Sequence, residues 1–304
     1  MNMAETLPLE RLRGELRLNE PMARHVSWRA GGSADRCYLP ADTEDLSAFL
    51  RQVPHDEPIL FVGLGSNLLV RDGGWRGTVV LTHRPGKRAS LIDGRIYAEA
   101  GTACPKVAHL AALKNLGDAE FLAGIPGTVG GALVMNAGCY GGETWDIVEH
   151  ALTIDRQGKL RKRPREDFTT GYRQCELHDA DHEEWFVAAW FKLPPGDWQT
   201  SRQIMTTLLK RRVSSQPLQL PNAGSVFRNT ENEPAAKLIE ACGLKGLEHG
   251  AARVSKKHAN FIVNPQGAGS AADIEWLIEH VHATVKQKAG VDLVREVRIV
   301  GEPG

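Results

Sequence analysis

The stretch GIPGTVGGALVMNAGCYGGE, residues 124–143, sets Gly124, Gly127, Gly130, Gly131, Gly138, Gly141 and Gly142 within nineteen positions and interrupts them with Asn136 and Tyr140. Glycine at this density carries a conformational-entropy cost that ordinary core packing does not demand. Close approach of backbone to a large ligand is a sufficient reason, and a pyrophosphate joined to an isoalloxazine ring is a ligand of that size. Upstream, PILFVG at 58–63 is a short β-branched and aromatic run that reads as a buried strand. It opens into GLGSN at 63–67, a second small-residue loop. Loops 63–67 and 124–131 both permit backbone N–H groups to meet phosphate oxygens directly.

Neither loop fits a standard nucleotide motif. Leu68 stands where GxGxxG requires its third glycine, and no helix follows to receive a pyrophosphate on its N-terminus. No Gly-Lys-Ser/Thr follows the second region, so the P-loop fails as well. TVVLT (78–82) and RIYAEAG (95–101) read as strands, with Pro85 and Gly86 turning between them. Val107, Leu110 and Ala111 share one face of a helix expected from Pro105 to Asn115, capped at or beside Thr102 and ended by Gly117. This order does not repeat the alternation of a doubly wound fold. The apolar runs near 146–154 and 185–193 predict more sheet, and Pro194, Pro195 and Gly196 read as a linker. Beyond it, helices are expected over 201–212, from Pro234 as first helical residue to Gly243, and after a Ser270 cap along Ile274, Leu277, Ile278, Val281 and Val285.

A chain of 304 residues exceeds what one core usually organises. Lys plus Arg and Asp plus Glu both number 37, so no global field favours nucleic acid or an anionic membrane. The first twenty residues lack the apolar run of a signal peptide, and no later stretch has the length to span a bilayer, so a cytoplasmic protein is expected. Cys37, Cys104, Cys139, Cys175 and Cys242 are scattered without a CxxC pair, which fits free thiols in a reducing compartment. His178 and His182 have the i,i+4 spacing of a helical ligand pair, but HDADH is polar and loop-like, and no metal is assigned.

Taken in order, FVGLGSNLLVRDGGWRG, EFLAGIPGTVGGALVMNAGCYGGE, GYR at 171–173, PNAGSVFRN at 221–229, VSKKHANFIVN at 254–264 and LVREVRIVG at 293–301 resemble the UDP-N-acetylenolpyruvoylglucosamine reductases, also called UDP-N-acetylmuramate dehydrogenases. The likeness runs from about Glu20 to Gly301. It implies an α+β chain: a vanillyl-alcohol-oxidase-type FAD-binding fold in two subdomains (21–85 and 86–199) after an N-terminal extension (1–20), then a C-terminal α+β substrate-binding domain (200–304). It implies noncovalent FAD beside Arg29, Gly63, Gly65, Ser66, Asn67, Gly124, Pro126, Gly127, Thr128, Gly131, Asn136 and Ala137, with NADPH as reductant. The interval from Arg173 to Ser225 is short, like the subtype lacking an extra tyrosine-bearing loop over the substrate. Ser33 and Thr230 depart from a common proline, and Cys139 from alanine.

The implied reaction reduces a UDP-linked enolpyruvyl sugar during peptidoglycan precursor synthesis. Hydride at C3 of such an enol ether leaves electron density on C2 and the carboxylate, which calls for a cation and a proton donor. Arg173 supplies a permanently charged fork. Ser225, in AGSVF without a nucleophile elbow, can donate a proton only to a strongly basic enolate. Glu296 interrupts the apolar run LVREVRIV, where a carboxylate is expensive to bury unless paired or neutralised, and the resemblance makes it the third active-site residue. Tyr172, Asn229, Lys257, His258 and Asn260 are candidates for substrate binding. Another flavin oxidase or dehydrogenase of the same fold is the alternative, and a noncatalytic flavin- or nucleotide-sugar-binding protein a further one.

Overall fold

The computed structural model describes residues 12–84, 89–178 and 183–304; the N-terminal eleven residues, the Pro85–Gly86 turn and His182 of the HDADH segment lie outside the described residues. The chain divides into two compact units. Among the described residues, the first comprises 12–18, 36–63, 77–84, 89–178 and 183–206, the second 19–35, 64–76 and 207–304.

A four-stranded sheet lies mostly in the first unit, in the spatial order Glu15–Pro21, Ser33–Leu39, Trp75–Leu81, Ile59–Val62. Helix α1 (Thr43–Leu50) starts where the Asp42 carboxylate accepts the Asp45 N–H at 2.9 Å. Its Phe49 stacks on Tyr38, ring centroids 3.8 Å apart. An antiparallel five-stranded sheet runs Leu160–Pro164, Val148–Asp155, Glu184–Phe191, Arg95–Glu99, Ala89–Ile92. Ile96 and Ala98 are wholly buried between the partly exposed Arg95, Tyr97 and Glu99, the two-residue period of a strand with one covered face. Against it pack α2 (Cys104–Leu113), α3 (Val129–Met135) and α4 (Thr144–Ile147), through Val107, Ala111, Val129, Leu133 and Trp145. The hairpin Phe168–Gly171/Gln174–Leu177 and the start of α5 (Trp198–Ser215) complete this unit.

The second unit holds α6 (Ala235–Ala241), α7 (Ala271–Ala289), the antiparallel sheet Glu248–His249, Ala252–Val254, Ile262–Val263, and a parallel pair of Leu68–Val70 with Arg298–Val300. Its core gathers Trp28, Leu69, Val226, Phe227, Ile239, Ile274, Leu277, Ile278, Val281 and Val285. The periodic face read from 274 to 285 is therefore the buried one, and Ser270 caps α7 in a box with Asp273.

Several expectations are corrected. The second glycine region is not all loop: Gly130 and Gly131 are helical in α3. The Val129 and Gly130 N–H groups donate to the carbonyls of Thr102 and Ala100 at 2.8 Å each, so tertiary pairing overrides poor local propensity. Helix α2 is entered from Ala103, beside Thr102 as expected; Ala103 offers no side-chain cap, and the Cys104 N–H is satisfied by the Gly127 carbonyl at 3.0 Å. It ends at Leu113, and Asn115 (φ +53) makes the left-handed exit expected at Gly117. Pro234 precedes α6 with an extended ψ of 132. Pro194 to Gly196 are docked on the end of α2, with Gly117 N–H on the Pro194 carbonyl and Gly196 N–H on the Asn115 carbonyl. Glu296 does not sit inside a strand, which spans only Arg298–Val300; Arg295 makes an isolated bridge to Phe227 instead.

Candidate active site

In the first unit the glycine region is knitted to the hairpin that carries Arg173. The 124–131 stretch is fixed by the Cys104–Gly127 bond and the Ala103–Thr128 bridge. Gly63 packs so tightly on it that a Cβ there would lie 2.2 Å from Thr128 Oγ1. Asn136 ends α3 in the left-handed region (φ +41) and is 2% exposed. Its amide nitrogen donates to Glu143 Oε2 at 2.7 Å and to the Gly171 carbonyl at 3.0 Å, and its oxygen accepts the Trp145 N–H at 3.1 Å. The next residue, Ala137, accepts from the Thr144 hydroxyl at 2.6 Å. Tyr172 and Arg173 form the two-residue loop of the hairpin. Arg173 takes φ +59, and its Nη2 donates to the Gly138 carbonyl at 3.1 Å. A left-handed arginine is an uncommon conformation that surrounding contacts must enforce.

In the second unit the first glycine loop is tied to the other two candidates. Gly65 has φ +58, and a Cβ on it would meet the His25 carbonyl oxygen at 2.1 Å. Beside it are the half-buried Ser66 and Asn67. The Asn67 amide donates to the Glu296 carbonyl at 3.0 Å, and its own carbonyl accepts the Arg298 N–H at 3.0 Å. Glu296 N–H donates to the carbonyl of Val226 at 2.8 Å, next to Ser225. Asn260 clamps the same segment, its amide giving to the Phe227 carbonyl at 2.7 Å and accepting the Phe227 N–H at 3.0 Å, while its backbone carbonyl takes the Val226 N–H. Ser225 and Glu296 thus lie on two segments paired through Val226 and Phe227. Arg29 is exposed at φ +57, against Gly267.

The remaining substrate candidates have mainly structural partners. Asn229 accepts the Ala235 N–H at 3.1 Å and so starts α6. Asn260 is 2% exposed and fully engaged by backbone. Burial, and then the charge of Lys245, lowers the basicity of the His258 imidazole, and its Nδ1 is buried without a hydrogen-bond partner among the described residues. Lys257 Nζ donates to the Val213 carbonyl at 2.6 Å, and Lys257 lines a cavity of ≈ 340 Å³ with Gln216, Leu218, Arg253, Ser255 and Lys256. Glu143, the anchor of Asn136, was missed by sequence reasoning, although it closes the quoted glycine stretch. No cluster of three or more His, Cys, Asp or Glu suited to a metal occurs among the described residues, and none of the helices is long and apolar enough to cross a membrane.

Comparison with known proteins identifies relatives of this chain. Residues 34–163 fit the family pattern "FAD binding domain", and residues 216–300 fit "UDP-N-acetylenolpyruvoylglucosamine reductase, C-terminal domain". The UDP-N-acetylenolpyruvoylglucosamine reductase of Thiobacillus denitrificans is 56% identical, over 96% of this chain and 94% of its own. The chain belongs to that reductase family. The protein of the same name from Nitrosospira multiformis is 54% identical over 100% of this chain and 94% of its own. The crystal structure of UDP-N-acetylenolpyruvylglucosamine reductase from Thermus caldophilus superposes with a TM-score of 0.78 at 29% identity, covering 94% of this chain and 98% of that one. Membership makes the chain an oxidoreductase with an FAD-binding domain, in an α+β fold. The residues of the first unit fit such a cofactor. Pro126 and Gly131 are exposed on the glycine stretch, and Val134, Tyr140 and Tyr172 expose 39, 39 and 45% of their surface, so bare backbone and apolar side chains of this unit are open to a ligand.

Proposed function

We propose that this chain reduces UDP-N-acetylenolpyruvoylglucosamine to UDP-N-acetylmuramate with electrons from NADPH, as a cytoplasmic step of peptidoglycan precursor synthesis. FAD, held noncovalently by the residues of the two glycine loops, supplies two-electron transfer when bound. Arg173 fixes the substrate carboxylate through its planar fork and offsets the negative charge that grows there as hydride reaches C3. Ser225 gives its hydroxyl proton to C2, completing the addition of hydride and proton across the double bond. Glu296 stabilises the enolate-like species beside Ser225. Lys257, with Arg253 and Lys256 along the same cavity, offers charge to the anionic part of the substrate.

The observation that supports this reading is the backbone pairing of the Ser225 and Glu296 segments through Val226 and Phe227, which holds the main chains of the two candidate residues close together within one unit. Anaerobic reduction of the purified protein with NADPH, followed by addition of the enolpyruvyl sugar or of oxygen, tests it. Rapid recolouring by the sugar and slow recolouring by oxygen is expected. Rapid recolouring by oxygen alone would make the protein an oxidase of the same fold, and no reduction at all would make it a binding protein.

A further inference from the structure

We infer that Asn136 is a positioning residue for Arg173, with Glu143 as its anchor, an inference that rests on the role proposed above for Arg173. The Asn136 amide has two N–H bonds and one carbonyl, and these meet the Glu143 carboxylate, the Gly171 carbonyl and the Trp145 N–H. With both donors committed and only 2% of the residue exposed, the side chain has one available orientation. Its grip falls on Gly171, which pairs with Gln174 across the Tyr172–Arg173 loop. Two residues after Asn136, the Gly138 carbonyl accepts from the Arg173 guanidinium at 3.1 Å, which also lies 4.8 Å over the Tyr172 ring. One short stretch of chain therefore holds both the base of the loop and the charged group at its tip. Arg173 at φ +59 occupies a conformation that favours glycine, and this double grip is what keeps it there.

Asn136→Gly isolates the effect, because glycine adopts the φ of +41 without strain and only the amide is removed. In the FAD-loaded enzyme, amide hydrogen exchange of residues 168–177 should quicken. Turnover of the enolpyruvyl sugar should fall about 10²-fold, the scale of an ångström of misplacement. In an Arg173→Lys background the same change should cost less than about 3-fold, since residues acting as one unit are not additive. Glu143→Gln, which keeps an oxygen for the Asn136 amide, should retain activity, and Glu143→Ala should behave like Asn136→Gly. Unchanged exchange in the hairpin, an equal loss in both Arg173 backgrounds, or full activity of Glu143→Ala would each overturn the inference. Absence of sugar turnover in the unmutated enzyme would instead overturn the proposed function, with the exchange measurement still deciding whether Asn136 holds the hairpin.

Discussion

The Glu296 N–H donates to the Val226 carbonyl at 2.8 Å, so the carboxylate-bearing residue is registered against the backbone immediately after Ser225. Because the bond runs between main chains, the register survives replacement of either side chain. The chemistry of each can therefore be removed without moving the other.

Ser225→Ala is expected to leave the NADPH-dependent bleaching of the flavin nearly normal and to slow recolouring by the enolpyruvyl sugar by about 10² to 10⁴, the usual contribution of a positioned general acid. Ser225→Cys should recover part of that loss, since a thiol is the stronger acid. Anaerobic stopped-flow absorbance reads both phases. Equal slowing of both would assign Ser225 to shaping the flavin site.

Gly65→Ala should destabilise the protein more than Gly63→Ala. The added Cβ at 65 meets a backbone carbonyl at 2.1 Å in a left-handed conformation, whereas at 63 it meets the Thr128 side chain, which can rotate. Overpacking costs about 1–3 kcal/mol, and the Gly65 change belongs at or above the upper end. Thermal unfolding and FAD per chain measure it, and equal melting temperatures would contradict the geometry.

Asp72 reaches the start of α7 from a loop far away in sequence and accepts the Ala271 and Ala272 N–H groups at 3.0 and 2.8 Å. Asp72→Ala should lower stability by about 1 kcal/mol, the worth of a helix cap reinforced by the dipole. Chemical denaturation of the variant checks this, and an unchanged midpoint would mean that the Ser270 box suffices alone.

Acid should destabilise the five-stranded sheet through Glu184 and Asp155. Burial pushes the Glu184 carboxyl upward, but bonds from Arg163 and Thr153 and the charges of Arg163 and Arg161 outweigh it and hold it below its ordinary value. Asp155 is likewise pushed up by burial and carried lower overall by the Lys159 N–H and Arg161. With folded values depressed, their contribution is complete above the ordinary carboxylate range and is lost as pH falls through and below it. Glu184→Gln should flatten the acid limb of melting temperature against pH, and an unchanged limb would remove this network from acid unfolding.

What the sequence determined by itself is what depends on neighbours a few positions apart. The periodic face of α7 and its Ser270 cap, the strand before Gly63 and the failure of GLGSNL as a dinucleotide loop are of this kind, and the ordered motifs sufficed to find the family and nominate Arg173, Ser225 and Glu296. Tertiary structure alone decided which groups hold those residues. Asn67 meets Glu296 across 229 positions, Asn260 meets Phe227 across 33, and Asn136 meets Gly171 across 35. The same long-range pairing made Gly130 and Gly131 helical, because carbonyls of residues 100 and 102 satisfy donors that a local reading leaves open. A side-chain amide is equally at home on solvent, ligand or backbone, so its type and spacing do not say which it serves. The partner is fixed only when the core closes and brings one particular carbonyl within reach.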